Sequence, residues 1–242
     1  MIDGGLFTRD FLEEGVRETP FWNTIADSEV ATFIDAARTC MQALAARGQP
    51  NEAQTEEDVV YPLLARLGWT AKDVQPNLTG RRRSAVPDAL LFLSGEALQQ
   101  AGRGDLWQRA GHGVCIVEAK RWQRQLDRES RQADDESGTP SSQMLRYLRH
   151  AEDVTRGRLR HGILTNGRIW RLYRHQAGGT AEKFFEIDLG KALEIAGCED
   201  DLLDRPSRHF ADTASWRAHV IRLFIAFFGR PAFEPQAASG TF

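Results

Sequence analysis

Two short segments place carboxylates and a lysine in a pattern that suits metal-dependent cleavage of phosphodiester bonds. Asp88 interrupts an apolar segment that begins at Val86, while Glu118 and Lys120 end a second apolar segment. An ionised carboxylate on a buried strand is unfavourable unless it is paired or binds a metal. Because side chains alternate along a strand, Glu118 and Lys120 face one side of the sheet and Ala119 faces the other. Two carboxylates and a lysine therefore converge if the two strands are neighbours.

The chemistry that this set supports is magnesium-assisted hydrolysis. Mg²⁺ prefers carboxylate oxygens and retains several waters, so two acids and a backbone carbonyl suffice as protein ligands. The ion polarises the phosphate and activates a water, and Lys120 would orient that water and offset the developing charge. Glu-x-Lys alone is also typical of a surface salt bridge at a strand end. The upstream Pro87-Asp88 pair favours the catalytic interpretation.

A preceding helix, predicted from Glu52 to Leu67, offers another carboxylate. Glu56 lies near its apolar, sheet-facing stripe, because Val60 and Leu63 follow at helical spacing. A carboxylate in that position could reach the metal site. Glu52 is one turn earlier on the same stripe and stays an alternative, and acids at this end of a helix also stabilise it electrostatically.

A later helix carries Gln143 and Tyr147, which are four positions apart and share one face. An amide and a phenol there could contact phosphate or the metal site. The alternative is that Tyr147 belongs to the core and that Gln143 is solvated.

Positive charge is concentrated in one part of an otherwise acidic chain. The net charge is −3, which is unfavourable for a partner as anionic as a nucleic acid. Between 146 and 175, however, only Glu152 and Asp153 accompany a set of arginines, and a second basic cluster lies at 81–83. Such a zone suits phosphate contacts, although arginines also simply solvate helix and strand surfaces. The arginines of the zone are Arg146, Arg149, Arg156, Arg158, Arg160, Arg168, Arg171 and Arg174.

The bulk composition predicts a globular protein of the cytoplasm. Its 242 residues, 41% hydrophobic and 27% charged, can bury a core without disulfide or metal support. Three cysteines without paired spacing favour a reducing compartment and argue against a zinc site. No segment approaches the ~20 apolar residues of a membrane span, and the N-terminus lacks the apolar run of a signal peptide. The histidines show no paired metal-ligand spacing.

The hydrophobic pattern predicts a mixed α/β domain around one sheet, which would position these residues. Asn166-Gly167 between two apolar segments predicts a hairpin with a type I′ turn. Ser28 and Gly48 are the predicted N-cap and stop of an early helix, and 121–139 is a predicted loop. Helices are expected at 28–47, 52–67, 140–155, 191–197 and 215–228, and strands at 86–93, 113–119, 160–165, 168–174 and 183–189.

Five segments, in this order, resemble the PD-(D/E)XK nuclease superfamily, over about Asn51 to Leu189. The chain most resembles the N-terminal nuclease domains of type IIG and type ISP restriction-modification enzymes and of type I restriction subunits. The resemblance implies a restriction-endonuclease-like α/β core, with a mixed central sheet flanked by helices. The stretch between Asp88 and Glu118 is longer than the family commonly shows, and 95–111 predicts a loop or short helix. The segments are TEEDVVYPLLARLGW, VPDALLFL, IVEAKRW, SSQMLRYL and GILTNGRIWRLY.

The resemblance also implies roles and context. The cofactor would be Mg²⁺, with Mn²⁺ as a substitute, and in related enzymes a methyltransferase and a target-recognition domain follow a helical spacer. We therefore expect a helical arm at 1–50, a nuclease core at 51–190, and C-terminal helices at 191–242 that begin the spacer. The implied catalytic residues are Asp88, Glu118, Lys120, Gln143 and Tyr147, and the implied metal ligands are Glu56, Asp88, Glu118 and Ala119.

Together these features predict a Mg²⁺-dependent endodeoxyribonuclease of a restriction-modification or antiviral defence system. Transient dimerisation on DNA is expected, because one such site cuts one strand. The alternative is a non-catalytic nucleic-acid-binding or assembly module, and RNA or branched DNA are further candidate substrates. Trp122 is a candidate contact to DNA, whereas Trp69 and Trp170 are expected in the core.

Overall fold

A computed structural model describes residues 1–76, 86–102, 106–128, 138–175, 183–198 and 209–235. These residues form a seven-stranded mixed sheet flanked by helices, which confirms the predicted α/β class. The predicted basic cluster at 81–83 lies outside the described residues.

The strands of the sheet lie in the spatial order 1-7-6-5-4-3-2. The fourth and fifth strands are parallel, and all the other neighbouring pairs are antiparallel. A parallel pair requires a crossover connection, which here contains a long helix. The strands are β1 (Ile2–Asp3), β2 (Ala71–Val74), β3 (Ala89–Phe92), β4 (Cys115–Ala119), β5 (His161–Thr165), β6 (Ile169–Arg174) and β7 (Phe184–Asp188).

The helices vary from single turns to five turns. Between the fourth and fifth of them, Glu56–Val60 forms a π-helical segment, and 3₁₀ turns occupy Gly15–Glu18 and Arg230–Phe233. The helices are α1 (Arg9–Glu13), α2 (Pro20–Thr24), α3 (Asp27–Ala45), α4 (Glu52–Thr55), α5 (Tyr61–Arg66), α6 (Gly95–Ala101), α7 (Leu106–His112), α8 (Pro140–Thr155), α9 (Leu189–Ala192) and α10 (Thr213–Phe228).

Two hydrophobic clusters cover the two faces of the sheet. Alternate residues of β4 face opposite sides, so that Val117 belongs to the larger cluster and Ile116 to the smaller one. The larger cluster includes buried residues of α3, α5 and α10, and the smaller one packs α8 onto the sheet. Glu118 is in register with Leu164 of the smaller cluster and therefore lies on the α8 face. Residues from all three predicted regions of the chain, 1–50, 51–190 and 191–242, contribute to the larger cluster.

Several predicted elements have different bounds. The predicted strand at 86–93 is shorter, because β3 begins only after Asp88, and β1 and β2 were not predicted. The polar insert at 95–111, predicted as a loop or short helix, contains two short helices, α6 and most of α7. The segment 52–67 is helical, as predicted, but the π-helical segment interrupts its α-helical hydrogen bonding.

Two predictions about turns and caps are wrong. The hairpin between β5 and β6 forms, but its turn is not of type I′, because only Gly167 has positive φ (+80°) and Asn166 does not. The Asn166 side chain instead accepts hydrogen bonds from the amides of Arg168 and Ile169. Ser28 is not an N-cap, because α3 begins at Asp27, one residue earlier.

In the part of the chain that the structure describes, no helix combines the length and the apolar character that a bilayer span requires.

Candidate active site

The C-terminal end of β4 lies beside the segment that leads into β3. Asp88 precedes β3, and its Oδ2 accepts a hydrogen bond of 2.6 Å from the amide of Ala119. The pairing of β3 with β4 sets this contact, because Ala89 is in register with Val117. The strand that follows Asp88 is therefore a neighbour of β4, and Asp88 contacts the backbone between Glu118 and Lys120.

Glu118 and Lys120 interact directly at this strand end. The Nζ of Lys120 donates to Oε1 of Glu118 over 2.7 Å, and Glu118 and Lys120 are 2% and 6% exposed. The amide of Lys120 continues the parallel pairing by donating to the carbonyl of Thr165. Burial alone would lower the pKa of the Lys120 ammonium, but the carboxylates of Glu118 and Glu52 raise it overall.

Three carboxylates form a second group at the same place. Oxygens of Glu52, Glu56 and Asp88 all lie within 4.8 Å of one another. Glu52 also lies 3.5 Å from Nζ of Lys120, so this ammonium connects the two groups. The sequence left Glu52 and Glu56 as alternatives, and the structure brings both of them to Asp88.

Hydrogen bonds at the N-terminus of α4 fix the position of these glutamates. Asn51 caps α4 in a reciprocal pair with Gln54. The next residue, Thr55, is buried, and its hydroxyl accepts a hydrogen bond of 2.9 Å from the amide of Trp122. This contact ties α4 to the chain just after Lys120. Sequence reasoning did not identify Thr55, because nothing in its spacing distinguishes it.

Burial, and then the nearness of other acids, raises the pKa values of two of these carboxyl groups. Burial raises the pKa of Asp88 to about 9, and the charges of Glu118 and Glu56 add to the rise. Burial likewise raises the pKa of Glu56, partly offset by a hydrogen bond from Tyr61. Without a cation, the cluster therefore favours a protonated Asp88 at neutral pH.

Gln143 and Tyr147 lie together on the buried face of α8. The Nε2 of Gln143 donates to the hydroxyl of Tyr147 over 2.9 Å, and that hydroxyl lies 3.4 Å from the carbonyl of Val86. Gln143 is 6% exposed, so the interpretation of a solvated glutamine is wrong. The pair connects α8 to the segment that carries Asp88.

A second ionic cluster lies on the α8 face two strands away. Arg171 of β6 donates to both carboxylate oxygens of Asp127 over 2.6 Å and to Glu186 over 2.5 Å. It also donates to the hydroxyl of Ser141, which itself donates to Asp127. Hydrogen bonding from Arg171 lowers the pKa of Asp127. We name this set the Arg171 cluster.

The predicted positive zone divides into two kinds of arginine. Arg160, Arg168 and Arg171 each form an ion pair with a carboxylate, so their charge is balanced within the fold. Five others are exposed in the described residues: Arg146, Arg149, Arg156, Arg158 and Arg174. The second kind, together with the half-exposed Arg160, presents positive charge to a partner.

The tryptophans follow the packing of the larger core. Trp69 and Trp170 are buried, as predicted. Trp122 is partly buried and packs against this core. Its ring lies so close to Gly167 that a Cβ atom at that position would be only 2.8 Å from it. Its contact with DNA stays a prediction.

The donor set of the site fits a hard divalent cation. Its candidate ligands are carboxylate oxygens, the type that Mg²⁺ and Mn²⁺ prefer. Burial is the main cause of the raised pKa of Asp88, and the charges of Glu118 and Glu56 add to the rise, which the ammonium of Lys120 only partly offsets. Bound close to Asp88, Glu56 and Glu52, a divalent cation would offset that charge and favour the ionised carboxylates.

No family profile, curated protein or solved structure matches the chain.

Proposed function

We propose that this chain is a metal-dependent DNA endonuclease domain of the PD-(D/E)XK type, acting in a restriction-modification or phage-defence system. One observation carries the proposal. Four carboxylates and a buried lysine from three separate segments meet at the end of β4, with Asp88 hydrogen-bonded to the backbone between Glu118 and Lys120. Grouped acids with a raised pKa beside a lysine are expected where charge must be handled in a reaction.

The chain's residues divide into ligands and supporting groups. Asp88, Glu56 and Glu52, whose oxygens lie within 4.8 Å of one another, would hold Mg²⁺ or Mn²⁺, and Glu118 and the carbonyl of Ala119 would complete the set. When bound, the cation supplies Lewis-acid polarisation of the phosphate and a more acidic water.

Lys120 acts beside these ligands. Glu118 and Glu52 orient its ammonium, which can donate a hydrogen bond to a phosphate oxygen and offset charge in the transition state. Gln143 and Tyr147 support the segment that carries Asp88.

DNA would approach along the exposed arginines. Arg146 and Arg149 project from α8, and Arg156 and Arg158 follow at its end. Such contacts position a duplex without reading its sequence. Target choice would come from a methyltransferase and target-recognition domain, and transient dimerisation would allow both strands to be cut.

The decisive experiment is cleavage of supercoiled plasmid with Mg²⁺ or Mn²⁺. Wild-type protein should nick or cut, and Asp88→Asn and Lys120→Met should each reduce the rate at least ~100-fold, since each removes a group that the reaction uses. Asp153→Asn and Lys183→Met are matched controls, because both positions are exposed and lie outside the site. They should cut like wild type.

The other outcomes are equally informative. Equal cutting by wild type and both site variants would overturn the site assignment. Salt-dependent DNA binding without cleavage under either metal would favour the non-catalytic module. Parallel assays with RNA and with branched DNA identify the substrate if plasmid is not cut.

A further inference from the structure

A tyrosine that the proposed chemistry does not use contacts the acidic group. The hydroxyl of Tyr61 donates to Oε2 of Glu56 over 2.9 Å, and it lies 3.4 Å from the carbonyl of Asp88. We propose that Tyr61 is a positioning residue that orients the Glu56 carboxylate toward a divalent cation shared with Asp88. This inference rests on the proposed function only in its choice of cation.

The π-helical segment is what makes this contact feasible. Tyr61 follows Glu56 by five positions, and its amide donates to the Glu56 carbonyl. In an α-helix, side chains five positions apart point about 140° away from each other. One π-helical turn closes on the fifth residue, so that Glu56 and Tyr61 face the same side. The interrupted helix thus builds a carboxylate–phenol pair that a regular helix would separate.

Tyr61 is itself held from more than one direction. The Nζ of Lys72 on β2 lies 4.9 Å from the centre of its ring, within the range of a cation–π contact. The residue is partly buried, and its hydroxyl is near the strand end that carries Asp88. A phenol fixed by its ring and its hydroxyl limits the rotation of the carboxylate that it contacts.

Such a contact matters for metal affinity. Groups that hydrogen-bond to metal-ligating side chains commonly change metal affinity or activity by about 10–100-fold when they are removed. Tyr61→Phe keeps the ring and its packing against Lys72 and removes only the hydroxyl. We therefore expect it to weaken Mn²⁺ binding about 10-fold with little change in thermal stability.

The test is calorimetric titration with Mn²⁺ of wild type, Tyr61→Phe and Tyr173→Phe. Tyr173 is a matched control, because it is a buried tyrosine of β6 beside the Arg171 cluster. Tyr173→Phe should bind Mn²⁺ like wild type. Equal affinity of Tyr61→Phe and wild type would overturn the proposal, as would absence of Mn²⁺ binding by wild type.

A double-mutant cycle separates positioning from general destabilisation. If Tyr61 acts through Glu56, Tyr61→Phe should have no further effect on Mn²⁺ affinity in a Glu56→Gln background. Additive losses would overturn the positioning role. Wild type that binds Mn²⁺ with these properties but cleaves no nucleic acid would leave the inference intact and refute the proposed function.

Discussion

The α8 face of the sheet carries two ionic clusters that differ in the number of carboxylates for each cation. In the Arg171 cluster, all three guanidinium nitrogens donate to Asp127, Glu186 or Ser141. At the end of β4, four carboxylates gather near the ammonium of Lys120, and the pKa of Asp88 rises to about 9. The first cluster places one cation beside two carboxylates, whereas the second places one cation among four.

From this difference we expect a structural role for the Arg171 cluster and a role in cation binding for the acidic one. A buried ion pair persists when its hydrogen bonds are made within the fold, and removing one partner is then strongly destabilising. A group of like charges is retained against its own repulsion when it serves binding or catalysis. The first cluster should therefore respond to mutation mainly in stability, and the second mainly in cation binding.

The largest expected effect is on the Arg171 cluster. Arg171→Met leaves the largely buried Glu186 without its cation and should lower the free energy of unfolding by about 3–5 kcal/mol. Asp88→Asn should leave it unchanged or raise it, because it removes a carboxyl from an acidic, partly buried environment. Urea denaturation in EDTA measures both, with exposed Arg146→Met as the control. An equal loss of stability in Asp88→Asn would contradict the distinction between the two clusters.

Mn²⁺ should produce the next largest effect. At a concentration about 100 times its Kd, a ligand of the folded state stabilises it by about 2.7 kcal/mol. Thermal unfolding should show this gain in wild type and in the control Asp153→Asn, and the gain should be largely lost in Asp88→Asn. A similar gain in all three proteins would place the cation elsewhere.

The smallest effect, measured per pH unit, is expected in the pH dependence of the metal-free protein. The pKa of Asp88 is near 3.8 in the unfolded chain and about 9 in the folded protein. Between these two pH values, the folded protein keeps a proton on Asp88 that the unfolded chain has released. Stability should therefore fall as pH rises through this window, by at most about 1.4 kcal/mol per pH unit. Asp88→Asn should lack this slope. If the stability of wild type and of Asp88→Asn changed equally with pH in EDTA, the raised pKa of Asp88 would be contradicted.

The sequence predicted the parts of the site that depend on simple periodicity. Alternation along β4 placed Glu118 and Lys120 on one face, and the structure has them in contact. Helical spacing placed Glu56 toward the sheet and paired Gln143 with Tyr147. The catalytic roles of these residues stay predictions.

The remaining features depend on contacts that are distant or irregular. Tyr61 could not be assigned to the site, because a regular helix would turn it away from Glu56. Arg171 looked like one member of a positive zone, since only the pairing of β6 with β7 and the position of the 121–128 segment bring it to Glu186 and Asp127. The short β2 offers too few residues for its alternation to be recognised.

The parallel pairing of β4 with β5 has a consequence for synthesis of the chain. Lys120 completes its backbone pairing only with Thr165, which follows the whole of α8. Domains emerge from the ribosome N-terminal end first, and contacts between distant segments form late. A nascent chain that already carries Glu52, Asp88 and Glu118 therefore lacks the strand that supports them. If the chain is a nuclease, its cutting centre is assembled only after β5 has been made, which keeps incomplete chains from damaging DNA.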